Sequence, residues 1–239
     1  MIGLGTLINA AGILAGGVLG LLAGKGLKPR FRDILMTING LSVIFIGASG
    51  ALAEILTTDG DGFGTQGSMM MLFSLVLGGL LGELINIEKQ TERFGEWLKK
   101  RTGSGDSHFV DGFVAASLTV CVGAMAVIGS INDGLSGDIS ILTTKAILDL
   151  IIVMVMTASM GAGCIFSAIP VLFFQGTITL LAGFIQPLMT ETAVSNLSLV
   201  GSVLIFCVGV NLMFDKHIKV GNLLPSIVFA VAFAFVPIL

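Results

Sequence analysis

Long apolar runs, separated by short polar segments, make up almost the whole chain. A hydrocarbon core about 30 Å thick requires about 20 apolar residues per helix. The runs of this length lie at 4–24, 34–56, 69–87, 110–131, 141–161, 168–187, 193–213 and 222–239. They lack the alternation of polar and apolar positions that barrel strands show. The pattern therefore predicts an all-α integral membrane protein, a single domain over residues 1–239, with about eight transmembrane helices.

The positions of the basic residues predict the orientation of these spans. Eleven of the twelve Lys and Arg residues lie in three polar segments, 25–32, 89–101 and 216–219. Because loops rich in Lys and Arg stay on the cytoplasmic side, the loops at 57–68 and 132–140 are expected outside, and both termini are expected to be extracytoplasmic. The turn 162–167 has no charge, and only the number of preceding spans places it inside. The alternative is that 162–176 forms a re-entrant segment.

Composition agrees with the membrane class and excludes others. The chain is 54% hydrophobic and 11% charged, which is too little polar surface for a soluble protein of this size. The basic residues are explained by topology, so no nucleic-acid partner is expected. Cys121, Cys164 and Cys207 lie far apart with no C-x-x-C spacing. We therefore expect no metal site, cofactor or disulfide framework. The motifs of common hydrolases are missing from the sequence, so an enzyme is not expected.

A ladder of glycines marks one face of the first span. Its members follow each other at four-residue spacing: Gly12, Gly16, Gly20 and Gly24. A helix face without side chains lets another helix approach closely. Gly78 and Gly82 on the third span are a candidate matching surface. Two interpretations stay open, tight packing within one subunit and an interface in a homo-oligomer.

The segment 87–101 has the pattern of an amphipathic helix. Ile87, Phe94 and Leu98 share one helical face, Trp97 lies beside it, and charged residues lie opposite. This arrangement predicts a helix lying at the inner membrane surface. The alternative is a solvated extension of the third span.

A weak internal sequence similarity links the two ends of the chain. Residues 4–12 resemble 175–183, with a Gly-Thr pair and an Ala-Gly pair at the same spacing. Spans one to three would then correspond to spans six to eight, in the opposite orientation. Inverted repeats of this kind occur in many secondary transporters. The division would be 1–109 for the first repeat, 110–164 for central spans and 165–239 for the second repeat.

The most unusual polar group follows the fourth span. Lys145 and Asp149 are four residues apart in an apolar run, so they share one helix face. Asn132, Asp133 and Asp138 precede them in the predicted outer loop. The functional interpretation is a charged gate or ion-coupling site, with the outer aspartates concentrating cations. The structural alternative is a Lys145 that reaches the outer interface and an Asp149 that caps or pairs locally.

Five further polar residues are secondary candidates for a pathway through the bundle. They are Thr6 and Asn9 in the first span, Glu83 in the third, and Gln175 and Thr177 in the sixth. The alternatives are hydrogen bonds between helices and, for Glu83, anchoring at the interface.

Five strings carry a resemblance to a known family: GELINIE (82–88), CVGAMAVIGSINDGLSGD (121–138), KAILD (145–149), SAIPVLFFQG (167–176) and NLLPS (222–226). They resemble the YqgA/YdfK-like family of bacterial multi-spanning proteins, a domain of unknown function. The resemblance implies a protein of the bacterial inner membrane with one integral domain. It implies no activity.

Together these patterns favour a small secondary transporter or channel for an ion or small polar solute. The expected partners are that solute and the lipid bilayer. The alternative is a membrane scaffold or regulator in which Lys145 and Asp149 only hold helices together.

The predicted orientation can be tested with introduced cysteines. Cysteines placed in 57–68 and 132–140 are expected to react from the periplasmic side of intact cells, and cysteines in 25–33 are not, because the basic loops stay inside. The measurement is labelling with a membrane-impermeant thiol reagent. Equal labelling of all three segments would contradict the orientation.

Overall fold

The computed structural model describes residues 2–59, 62–214 and 218–236. The elements are α1 (Leu4–Gly24), α2 (Pro29–Ile55), β1 (Leu56–Asp59), β2 (Gly62–Thr65), α3 (Ser68–Ile85), α4 (Ile87–Thr102), α5 (Phe109–Cys121), α6 (Ala124–Ser136), α7 (Ser140–Met160), α8 (Ala168–Leu180), α9 (Ala182–Ile185), α10 (Glu191–Phe214), α11 (Val220–Leu223) and α12 (Pro225–Phe233). Short 3-10 helices at Ala162–Ser167 and Gln186–Leu188 precede α8 and follow α9.

The helical membrane architecture is confirmed. Within the described residues, six helices are long and apolar enough to cross a bilayer, and the bent pair α5–α6 brings the number to seven. The predicted eighth span, 222–239, contains only the shorter apolar stretch Val220–Phe233, and its last three residues lie outside the described part. Segment Ala162–Leu180 is itself long enough to cross, which favours a continuous span over the re-entrant alternative.

The fourth predicted span is two helices rather than one. The axes of α5 and α6 differ by 62°. The chain bends at Gly123, whose φ of 146° is favourable only for glycine. The prediction of a continuous helix over 110–131 is therefore wrong, because the apolar character runs across the bend without interruption.

The segment after α2 also differs from the loop that was predicted. β1 and β2 form an antiparallel hairpin in which Leu56 pairs with Thr65. Residues 60 and 61, between the two strands in the sequence, lie outside the described residues.

The glycine ladder packs inside the subunit. Each of its members lies against a residue of α7: Gly12 against Ala146, Gly16 against Leu150, Gly20 against Met154 and Gly24 against Ala158. The contacting residue numbers increase in the same direction on both helices, so α1 and α7 are parallel. The predicted topology also has these two spans cross in the same direction. The partner surface proposed on α3 is used differently, because Gly78 faces Ser226 and Gly82 faces Asn222.

A second close pair joins α2 to α10. Gly47 of α2 lies against Phe206, and Gly209 of α10 lies against Ile44. Here the order reverses, so the two helices are antiparallel. The two tight pairs, α1–α7 and α2–α10, flank the bend between α5 and α6.

The segment 87–101 forms α4, as the amphipathic pattern predicts. Leu98 is buried, and Gly95 of α4 lies against Phe113 of α5. Trp97 remains 55% exposed and stacks on Phe94, at a distance of 5.7 Å between the ring centroids. The exposed aromatic pair is the kind of surface that rests at a membrane interface.

The inverted repeat stays a prediction. Its matching glycines have different surroundings, because Gly5 and Gly12 are tightly packed, whereas a Cβ atom at Gly176 or Gly183 would meet nothing within 4 Å.

The close approach of α1 to α7 can be tested at Gly16. A Cβ atom there would lie 2.2 Å from the carbonyl oxygen of Leu150, so Gly16→Ala is expected to destabilise the protein by about 1–3 kcal/mol. Gly176→Ala is the matched control, because it adds the same methyl group in open space. The measurement is thermal unfolding in detergent. Equal unfolding temperatures for the two variants would contradict this packing.

Candidate functional site

Lys145 and Asp149 form a buried ion pair within α7. The Lys145 Nζ lies 2.9 Å from Oδ1 and 2.8 Å from Oδ2 of Asp149. The two side chains are 9% and 4% exposed. Asp149 lies about 14 Å along α7 from its first residue, given a rise of 1.5 Å per residue. The pair is therefore buried in the protein interior, and the Lys145 ammonium is bonded to Asp149 rather than exposed.

The bend between α5 and α6 lies next to this pair. Cys121, the last residue of α5, is close enough to Lys145 and Asp149 to interact electrostatically with both. On the other side of the bend, Gly201 of α10 lies against Val122. At such a break, the last carbonyl and first amide groups of the two helices lack their usual helical partners.

Buried polar side chains without partners lie on the neighbouring helices α1 and α8. Asn9 and Gln175 are fully buried, and neither end of the Gln175 amide has a hydrogen-bond partner. The Asn9 amide lies beside the Asp149 carboxylate. Thr6 and Thr179 are also buried with unpartnered hydroxyls. Each such group lowers the free energy of unfolding by about 1–3 kcal/mol when it is left without a hydrogen-bond partner.

Thr177 does not belong to this interior group. Its side chain is exposed and donates a hydrogen bond to the carbonyl of Phe173 on its own helix. The hydroxyl is therefore satisfied locally and points away from the buried amides.

Asp133 is not in an outer loop, as the sequence had suggested. It lies within α6, is fully buried, and its carboxylate accepts hydrogen bonds from the N–H groups of Gly3 and Gly5, at 3.1 and 3.0 Å. A carboxylate at this place satisfies free amides and the positive end of the α1 dipole. Asp133 is thus a structural link between α6 and α1.

The other two outer candidates have smaller roles. Asn132 is half-buried within α6, and Asp138 is exposed. The Asp138 carboxylate accepts the N–H of Ser140 at 2.9 Å. Hydrogen bonds from the Ser140 backbone and hydroxyl hold the pKa of Asp138 below its usual value. Only Asp138 of this predicted group faces the solvent.

Glu83 belongs to a polar network at the C-terminal end of α3. It pairs with Lys219 and accepts a hydrogen bond from the Asn222 amide at 2.6 Å. Asn222 in turn accepts the N–H of Glu88 at 2.8 Å, and the Glu88 carboxylate accepts the N–H of Gly221 at 2.6 Å. Burial raises the pKa of Glu88, against the effect of the Gly221 hydrogen bond. The network fastens α11 to the junction of α3 and α4.

Sequence reasoning missed three parts of this arrangement. Thr179 and Asn222 are ordinary polar residues in apolar runs, and nothing in the local pattern set them apart. The bend at Gly123 had one signal, a glycine within an apolar run, but such glycines are common here. No group of three or more metal-ligating side chains occurs in the described part of the chain.

Comparisons with known proteins place this arrangement in a family. The family model described as "Protein of unknown function (DUF554)" matches residues 4–235. The "Uncharacterized membrane protein YdfK" of Bacillus subtilis (strain 168) is 30% identical over 232 residues, which cover 97% of this chain and 96% of that protein. The "Uncharacterized protein YqgA" of Escherichia coli (strain K12) is also 30% identical over 232 residues, with 95% and 94% covered. No solved structure matches the chain.

The buried pair can be tested by removing one charge or both. Asp149→Asn is expected to destabilise the protein by about 3–5 kcal/mol, because it leaves a buried ammonium without its counter-ion. The double variant Lys145→Met, Asp149→Leu removes both charges and is expected to recover most of that loss. The measurement is thermal unfolding in detergent. If Asp149→Asn unfolds at the wild-type temperature, the pair is not sealed from water.

Proposed function

This chain belongs to the family described as "Protein of unknown function (DUF554)", and from that premise we propose that it is a secondary transporter or channel for an ion or small polar solute. The observation that carries the proposal is the polar interior. An otherwise apolar bundle contains a buried charged pair on α7, a helix break between α5 and α6, and unpartnered buried polar groups on α1 and α8. Polar groups inside a membrane protein are costly and commonly mark ion or solute pathways.

The unpartnered amide of Gln175 supports a passage rather than a dry core. In a purely structural bundle, buried amides bond to neighbouring helices. Here water or a passing polar solute would supply the missing partners. Discontinuous helices are a recurrent feature of transporter binding sites, because their ends present free backbone groups.

The proposal includes eight crossings. Helices α11 and α12 run antiparallel along the length of α3: Asn222 lies at Gly82, Ser226 at Gly78, and Ala230 in the apolar cluster of Met70. Since α3 is long enough to span, α11 and α12 together cross the same thickness.

Orientation, location and assembly complete the proposal. Both termini lie outside, the protein resides in the bacterial inner membrane, and it is not an enzyme. The two halves are related as inverted repeats, with the pair between them. Exposed apolar residues such as Leu84 and Phe184 face lipid or a second copy of the chain.

A membrane scaffold is the second candidate, and one observation favours it. Neither of the two main cavities is lined by Lys145 or Asp149. In a scaffold, the Lys145–Asp149 pair would only stabilise α7, and the protein would transport no solute.

Flux through reconstituted protein separates the two functions. Proteoliposomes are expected to pass at least one small solute faster than protein-free vesicles. The measurements are uptake of radioactive sodium and rubidium, a trapped pH dye for protons, and light scattering for urea and glycerol. The double variant Lys145→Met, Asp149→Leu is expected to fold and to lose this flux, because it keeps the packing and removes both charges.

Two outcomes would count against the proposal. If folded wild-type protein passes none of these solutes, the scaffold is favoured. If the charge-free double variant keeps the full flux, the pair has no part in transport. Gly176→Ala, which should change neither stability nor flux, controls for handling of the variants.

A further inference from the structure

Two cavities open toward opposite ends of α10. The first has a volume of about 550 Å³ and is lined by Glu54, Glu191, Ser195, Asn196 and Leu199 among others. The second has a volume of about 390 Å³ and is lined by Val208 and Asn211 of the same helix, together with Glu88, Asp111 and Leu118. The predicted orientation puts the first outside and the second inside.

A short apolar septum separates these cavities. Leu199 lines the outer cavity and Val208 the inner one, so about 14 Å of α10 lies between them at 1.5 Å per residue. Within this stretch, Gly201 lies against Val122 and Gly123 at the bend. Leu204 belongs to the same apolar cluster as Val122. We call Val122, Gly123, Gly201 and Leu204 the septum.

Both cavities carry negative charge. Glu54 and Glu191 line the outer cavity, and Glu88, Glu92 and Asp111 line the inner one. Among the described lining residues, His108 is the only basic side chain, and no Lys or Arg lines either cavity. Lys219, which lies nearby, is paired with Glu83. Clefts lined by one sign of charge raise the local concentration of the opposite ion.

We propose that a small cation passes along α10, from one acidic cavity to the other, across the septum at the α5–α6 bend. This inference rests on the proposed transport function and adds its route and substrate class. The bend is the movable part, because a glycine joint between two half-length helices can change its angle without breaking either helix. The Lys145–Asp149 pair lies close to Cys121, the last residue of α5, at one end of this joint.

Cysteine accessibility tests the route without knowledge of the solute. The native residues Cys121, Cys164 and Cys207 are replaced by alanine, and single cysteines are placed at Leu199, Val208 or Leu204. The two cavity cysteines are expected to react with a cationic methanethiosulfonate reagent about tenfold faster than with an anionic one of similar size, relative to a free thiol in solution. Leu204→Cys in the septum is expected to react slowly with both.

Neutralising the outer carboxylates is the matched control for charge. Adding Glu54→Gln and Glu191→Gln to the Leu199→Cys variant is expected to bring the ratio of the two rates close to one. Equal rates for the two reagents before this change would overturn the cation assignment. Failure of both cavity cysteines to react would overturn the route.

Blocking then separates the route from transport itself. Modification of Leu199→Cys or Val208→Cys by the cationic reagent is expected to stop the flux measured in proteoliposomes. If the flux persists with both positions modified, the route lies elsewhere in the bundle, while the proposed transport function still stands.

Discussion

Inside a bilayer, a polar group must find its partner within the protein, and this constraint organises the whole structure. The ammonium of Lys145 has the Asp149 carboxylate as its counter-ion. The first amides of α1 have Asp133, and the junction of α3 and α4 has Asn222. The links made by Asp133 and Asn222 tie together helices that are far apart in sequence. The amide of Gln175 is an exception, because it is fully buried and has no hydrogen-bond partner, and a functional interpretation starts from it.

Close helix packing provides the rigid frame around these polar groups. Without a hydrophobic force between helices in lipid, association depends on close contact, which small residues permit. The glycines of α1 and of α2 and α10 produce two tight pairs on either side of the α5–α6 bend. A bend held between two rigid pairs has few directions in which to move, which suits a joint that opens alternately to two sides.

The sequence predicted those features that depend on the length of the apolar runs and on charges isolated within them. The bounds of α1, α3, α7 and α10 follow from hydrophobic runs, and the pairing of Lys145 with Asp149 follows from their spacing on a helix. It did not predict the bend at Gly123, because hydropathy does not change across it. The position of Asp133 was also misjudged, because a buried carboxylate that caps another helix has the same local pattern as one in a polar loop.

Long-range contacts were the hardest part to predict. The glycine ladder indicated a close helix contact, but only the fold shows that α7 is the partner. Glu54 lines a cavity with Glu191, which is far away in sequence. A single sequence carries no record of such pairs, so cavities and their charge become visible only in three dimensions.

The central claim is that the protein carries a cation across the membrane through its interior. Proteoliposomes adsorbed on a solid-supported membrane provide the most direct measurement, because charge movement is recorded as a current after a jump in sodium or potassium concentration. The account predicts a transient current that saturates with cation concentration and depends on the Lys145–Asp149 pair. A response from folded wild-type protein that equals the response of protein-free vesicles would contradict it.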